Sequence, residues 1–111
     1  MTNKRVFVIW SHPLFHDAVR ALLAHPEIEW VGETSDYEGM EEKVIQTNPD
    51  TVIFEDDENR FSAQILAIPE MIPSVERIIG LNLNNNELRI YHHKVKIVGH
   101  TNDLIQSIIG N

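Results

Sequence analysis

The first apolar run, Val6-Phe7-Val8-Ile9-Trp10, is continuous and rich in β-branched and aromatic residues. Such a run suits a strand buried on both faces, as parallel sheets require. Ser11 and His12 follow it, and Pro13 stands where a first helical residue would. Leu14, Ala18 and Leu22 then recur at a spacing of four, with Phe15, Val19 and Leu23 beside them. That pattern predicts an amphipathic helix ending near His25-Pro26. A second short strand is expected over residues 28–31. Ser35 or Asp36 can cap a helix whose buried face is Met40, Val44 and Ile45. Asn48-Pro49-Asp50 supplies a turn, and Thr51-Val52-Ile53-Phe54 a third strand that stops at Glu55-Asp56-Asp57-Glu58. The alternation of strand and helix with short connections predicts a parallel α/β sheet with right-handed crossovers.

The second half changes rhythm. Residues 60–68 can form one more helix with Phe61, Ile65 and Leu66 inward, after which Pro69 and Pro73 predict an irregular stretch. Ile78-Ile79-Gly80-Leu81 reads as a fourth strand. Only eleven residues separate Asn82 from Lys94, and a parallel crossover needs about a dozen or more. Asn84-Asn85-Asn86 is turn chemistry, Leu88-Arg89-Ile90-Tyr91 reads as a strand, and His92-His93 turns into Lys94-Val95-Lys96-Ile97-Val98. A β-hairpin or meander is therefore expected in place of a fourth crossover helix. A last helix is expected to be capped by Thr101 or Asn102, to bury Leu104, Ile105 and Ile108, and to end at Gly110.

Composition narrows the class without changing this outline. With 42% hydrophobic and 23% charged residues, the 111-residue chain suits one domain with one core. The absence of cysteine excludes disulfides, Cys-ligated zinc and thiol nucleophiles. No apolar run is long enough for a signal peptide or a membrane span, so a cytoplasmic protein is expected. The net charge of −8 argues against a general nucleic-acid binder. Its distribution is uneven. Residues 1–58 hold four bases and thirteen acids, a net of −9, whereas residues 59–111 hold five bases and four acids, a net of +1. No linker or internal repeat divides the two halves.

Ser11-His12-Pro13-Leu14-Phe15, followed by Val19-Arg20-Ala21-Leu22-Leu23, resembles the start of a response-regulator receiver domain. The nearest branch is the one usually joined to a LuxR-type DNA-binding helix-turn-helix. The stretches 29–36 and 49–54 resemble that branch's second strand with its following loop, and its third strand. The likeness covers about the first 57 residues well, residues 78–82 and the last helix fairly, and the rest poorly. It implies a flavodoxin-like doubly wound sheet of strand order 2-1-3-4-5. It also implies a site at the strand carboxyl ends. There, two acids after the first strand hold Mg²⁺ together with a phosphoacceptor aspartate after the third. A Thr or Ser after the fourth strand and a Lys after the fifth read the phosphoryl group. In this chain the two acidic positions are Trp10 and Ser11, the acceptor position is Glu55, and the Thr/Ser position is Asn82. The Lys position falls within residues 97–100, which hold no Lys, although Lys96 is near. Neither Trp10 nor Ser11 offers a carboxylate to a hard cation, so phosphorylation by the usual route is not expected. The resemblance is thus to a degenerate receiver, a pseudo-receiver.

Two readings of Glu55 stand: a constitutive charge in place of a phosphoaspartate, or drift in a disused site. Drift is favoured, since a carboxylate lacks the charge and acceptor oxygens of a phosphoryl group. His12, His16, Asp56, Asp57 and His100 are the remaining metal-ligand candidates at that edge. His12 and His16 lie one helical turn apart, although Pro13 starts the helix between them, and solvated or salt-bridged groups are the simpler reading. The strip Arg89, Tyr91, His92, His93, Lys94 and Lys96 mixes bases with an aromatic, and it reads as a solvent-facing side of the hairpin rather than a nucleic-acid surface. The outer strand of such a hairpin would be an exposed edge available to another chain. No glycine-rich phosphate loop or nucleophile elbow is present. The expectation is a non-enzymatic protein-interaction or oligomerisation module in bacterial signalling or transcription control. It would carry no cofactor and would dock a protein partner or a second copy through the last helix and the rebuilt strand region. The alternative is a small-ligand or metal-responsive sensor using the His and acid edge.

Overall fold

The computed structural model describes residues 3–56, 63–92 and 95–109. Its elements run β1 (Lys4–Ile9), α1 (Pro13–Leu22), β2 (Ile28–Thr34), α2 (Met40–Thr47), β3 (Thr51–Glu55), α3 (Ala63–Leu66), α4 (Ile68–Met71), β4 (Arg77–Asn82), β5 (Glu87–His92), β6 (Val95–His100) and α5 (Leu104–Ile109). Among the described residues the strands form one sheet of order β2-β1-β3-β4-β5-β6. The first four are parallel, while β4–β5 and β5–β6 are antiparallel. The sheet is flavodoxin-like in its start, and the expected hairpin is present. It enters the sheet as β5 and β6, so the order gains a sixth member.

Alternation along the buried strands sends neighbouring side chains to opposite faces. Val6, Val8, Ile53 and Ile79 pack with Phe15, Val19 and Leu23 from the first helical segment and with Leu104 and Ile108 of α5. Phe7, Ile9, Val52, Phe54 and Ile78 pack on the other face with Met40, Val44, Ile65 and Ile68. Burying each of these side chains stabilises the fold by about 1.5–3 kcal/mol before entropy is counted. Between Val6 and Phe7 the pairing with β2 shifts register, and Gly32 then sits over the Phe7 ring, where an added Cβ would lie 2.9 Å from it. Arg77 at the start of β4 is also buried, and donates to the Ser107 and Ile108 carbonyls at 2.5 and 3.1 Å. It thereby satisfies carbonyls at the end of α5 that have no helical partner.

Several local expectations need correction. Ile45 is exposed, because it lies about 100° round the helix from its buried neighbour Val44. Neither Ser35 nor Asp36 caps α2; the Asp36 carboxylate instead accepts the Glu38 N–H at 3.0 Å in the preceding bend. Pro69 does not break the chain. It sits in the first turn of α4, where its missing N–H has no helical acceptor to lose. The α5 segment is preceded by a 3₁₀ turn (Thr101–Asp103), and the Asp103 carboxylate accepts the His100 N–H at 3.1 Å in place of a Thr101 or Asn102 cap. Among the described residues no helix is long and apolar enough to cross a membrane. Asp57, Glu58, Phe61, His93, Lys94 and Gly110 lie outside the described residues.

Candidate functional site

The carboxyl ends of β1, β3 and β4 converge on one edge, and Glu55 closes β3 there. Its side chain is 12% exposed. Oε1 accepts the Ser11 N–H at 2.8 Å and the His12 N–H at 3.0 Å, and Oε2 meets the His12 Nδ1. The β1–α1 connection therefore wraps its own donors around this carboxylate. Charge-assisted bonds to backbone amides are the stronger kind, which fixes Glu55 in place. The His12 ring itself remains largely exposed beside it.

Asp56 follows as the next residue and is buried at 5% exposure, its N–H donating to the Leu81 carbonyl at 2.8 Å. A buried carboxylate requires a nearby counter-charge. Arg89 supplies it, with Nη1 3.5 Å from Asp56 Oδ2, while its Nε donates to Glu87 Oε1 at 2.6 Å. The hydrogen bond to Glu87, reinforced by the Asp56 charge, raises the Arg89 pKa further above its ordinary value. Arg89 pairs with Gly80 across the β4–β5 ladder. A Cβ on Gly80 would lie 2.8 Å from the Phe54 ring and 3.0 Å from Asp56 Oδ2, so this glycine leaves the room in which the acid and ring sit.

Asn82 ends β4, and its Oδ1 accepts the Asn84 N–H at 3.0 Å, which starts the turn into β5. His12, Glu55, Asp56 and Asn82 border a cleft of about 600 Å³, whose wall includes Leu81, Leu83 and the exposed Leu14.

The two histidines of α1's first turns part ways. His16 places Nδ1 3.1 Å from Asp17 Oδ1 and Nε2 against Glu33 Oε2. Its ring lies 5.0 Å from that of Trp10 and 5.7 Å from that of Trp30, and the Arg20 guanidinium sits 5.0 Å from the Trp30 ring. Trp10 and His16 thus belong to an aromatic and ionic cluster toward β2, not to the Glu55 edge. The Trp10 Nε1 is buried and has no hydrogen-bond partner among the described residues. Ser11 also lends its hydroxyl to Tyr37, at 3.3 Å. His100 is exposed at the far end of β6. Among the described residues, no three His, Asp or Glu side chains gather as a metal site would require.

The strip on the hairpin is divided as well. Arg89 turns to Asp56, and Tyr91 packs against the second core cluster, where loss of hydration raises its hydroxyl pKa. Arg89 is the site residue whose role the one-dimensional pattern missed. Its signal was the Gly80–Arg89 register, which exists only once the hairpin is aligned. No protein-family model matches the chain, and no curated protein matches it either.

Proposed function

We propose that this chain is a receiver-like docking domain that works without phosphorylation and without enzymatic chemistry of its own. It would bind a protein partner or a second copy through its surface, in bacterial signalling or transcription control. The observation that carries the reading is the state of Glu55. Both of its oxygens are already engaged by Ser11, His12 and the His12 ring. In the family resembled, the corresponding carboxylate faces a metal ion and an incoming phosphoryl group. A phosphoryl donor reaching Glu55 would have to displace three donors, with no acid at Trp10 or Ser11 to hold a neutralising cation. The sheet order beginning 2-1-3-4 supports the same reading.

The test is intact mass after incubation with acetyl phosphate and Mg²⁺, beside a thermal-shift measurement with beryllofluoride. Unchanged mass and unchanged melting temperature are expected. A phosphoryl adduct on Glu55 or Asp56 would overturn the reading.

The cleft of about 600 Å³ beside His12, Glu55 and Asn82 favours a second reading, a ligand-responsive sensor. A ligand bound only to the folded state must raise its stability. A melting temperature raised by zinc at modest excess, and returned to baseline in His12→Ala, would favour the sensor over the docking domain.

A further inference from the structure

The two edges of the sheet are protected very differently. An exposed edge invites pairing with another strand unless it is charged, bulged or covered. On β2 the pairing is bulged, and the strand carries Glu29 and Glu33. On β6, VKIVGH, the one full charge is Lys96, there is no bulge, and among the described residues nothing pairs with its outer side. Its Ile97 and Val98 are 53% and 54% exposed. Being neighbours on a strand, they point to opposite faces. A partner laid on either face would therefore cover one of them and leave the other wet. A strand added in the plane of the sheet covers both.

We propose that β6 is the assembly edge of this chain and that its occupant is β6 of a second copy, antiparallel about a two-fold axis at Ile97. Two observations set this register, and the charge distribution supports this occupant. Thr101 donates its N–H to Asn86 in the β5 direction at 3.1 Å. Alternation then turns the backbone groups of Gly99 and Ile97 toward β5, and those of His100, Val98 and Lys96 outward. The His100 N–H is already taken by Asp103. The free outward ladder is thus Lys96 and Val98. Pairing each with the other's counterpart in a second copy gives four main-chain hydrogen bonds and sets Ile97 opposite its symmetry mate. That position is a non-hydrogen-bonded pair, the kind in which side chains approach most closely.

Charge selects the second copy over a more acidic docking orientation. The half of the chain that holds β6 is close to neutral, whereas residues 1–58 carry a net of −9. Joining two copies at β6 sends the acidic β2 edges to opposite ends of a twelve-stranded sheet, about 50 Å apart at roughly 4.8 Å per strand. That is several times the Debye length of about 8 Å at physiological salt.

The proposal rests on the docking reading above, but the two fail separately. A phosphoryl adduct would sink that reading without bearing on β6. A chain that never self-associates would sink this one with the mass result unchanged.

The experiment is sedimentation velocity from about 5 μM to about 500 μM, with amide hydrogen exchange at both ends of that range. The expected result is a reversible dimer with Kd on the order of 100 μM, at the weak end of specific interfaces. The Lys96 and Val98 amides should exchange more slowly at high concentration. Ile97→Lys places a charge at the two-fold contact and should raise Kd at least about tenfold. Val98→Pro removes an outward N–H while sparing the ladder with β5, and should do the same. The exchange measurement on the unaltered chain decides the matter even where a variant folds poorly. A monomer across the whole range overturns the proposal. So does a dimer in which the Lys96 and Val98 amides gain no protection.

Discussion

From β1 to β4 the strands run parallel, and Val6 to Ile9, Val52 to Phe54 and Ile78 to Ile79 are buried on both faces of the sheet. In the β5–β6 hairpin only Leu88 is fully buried among the described side chains, while Ile97 and Val98 remain half exposed. The difference follows from how each half is connected. Parallel strands need crossovers, and the crossovers bring helices to cover both faces. An antiparallel strand returns through a short turn that brings no helix with it, so the hairpin is covered only in part, by α5 against Leu88 and Ile90. The parallel half is the buried frame, and the hairpin half has kept accessible edge and face.

Substitution can break this contrast. Ile53→Ala, in the middle of the parallel half, is expected to cost about 2–5 kcal/mol in a urea titration. Ile97→Ala on the monomer should stay within about 0.5 kcal/mol. Similar losses at the two sites would show that the hairpin is as integral to the core as β3.

The two halves are tied together at Arg77, whose guanidinium joins the start of β4 to the last carbonyls of α5. Arg77→Met keeps much of the apolar stem and removes both bonds, and should cost about 2–4 kcal/mol by the same titration. A loss below about 1 kcal/mol would mean that water serves those carbonyls equally well.

Gly80→Ala tests the seam between the halves. The new methyl meets the Phe54 ring and the Asp56 carboxylate, so a loss of about 1–3 kcal/mol is expected. Neutral behaviour would mean that the ring can step aside.

The smallest effect sharpens the comparison on the hairpin side. Burial raises the Tyr91 pKa above its ordinary 10.0. Below pH 10 both the folded and unfolded chains keep the phenolic proton, and the contribution of Tyr91 is complete. As the pH rises from 10 through the higher folded value, the unfolded chain releases its proton first and that contribution is lost. Thermal unfolding between pH 9 and about 11 should therefore show a steeper alkaline decline in the unaltered chain than in Tyr91→Phe. Parallel declines would place the alkaline sensitivity elsewhere.

Much of this was readable along the chain. The runs at 6–10, 51–54 and 78–81 announced buried strands because continuous apolar β-branched sequence has few other uses. The eleven residues after Asn82 announced the hairpin because they cannot span a crossover. Positions at the strand ends were readable: Glu55 and Asn82 close β3 and β4, and Ser11 lies two residues past β1. What each side chain does there was not. His12 and His16 are four residues apart, yet one turns to Glu55 and the other to Glu33 and two tryptophans. The direction is set by which neighbours the β1–α1 connection brings close, and periodicity carries no such information. Arg89, read as part of a solvent-facing strip, is the counter-charge of Asp56.

The sequence by itself therefore determined the elements, their order of appearance and the turn from parallel to antiparallel pairing, since these depend on local period, turn residues and loop length. Tertiary structure alone decided the pairings of charge, Glu55 with His12 and Asp56 with Arg89, and the contrast between a bulged acidic edge and an open one. Those depend on register and on contacts between residues more than thirty positions apart, where a difference of one residue would exchange every inward side chain for an outward one.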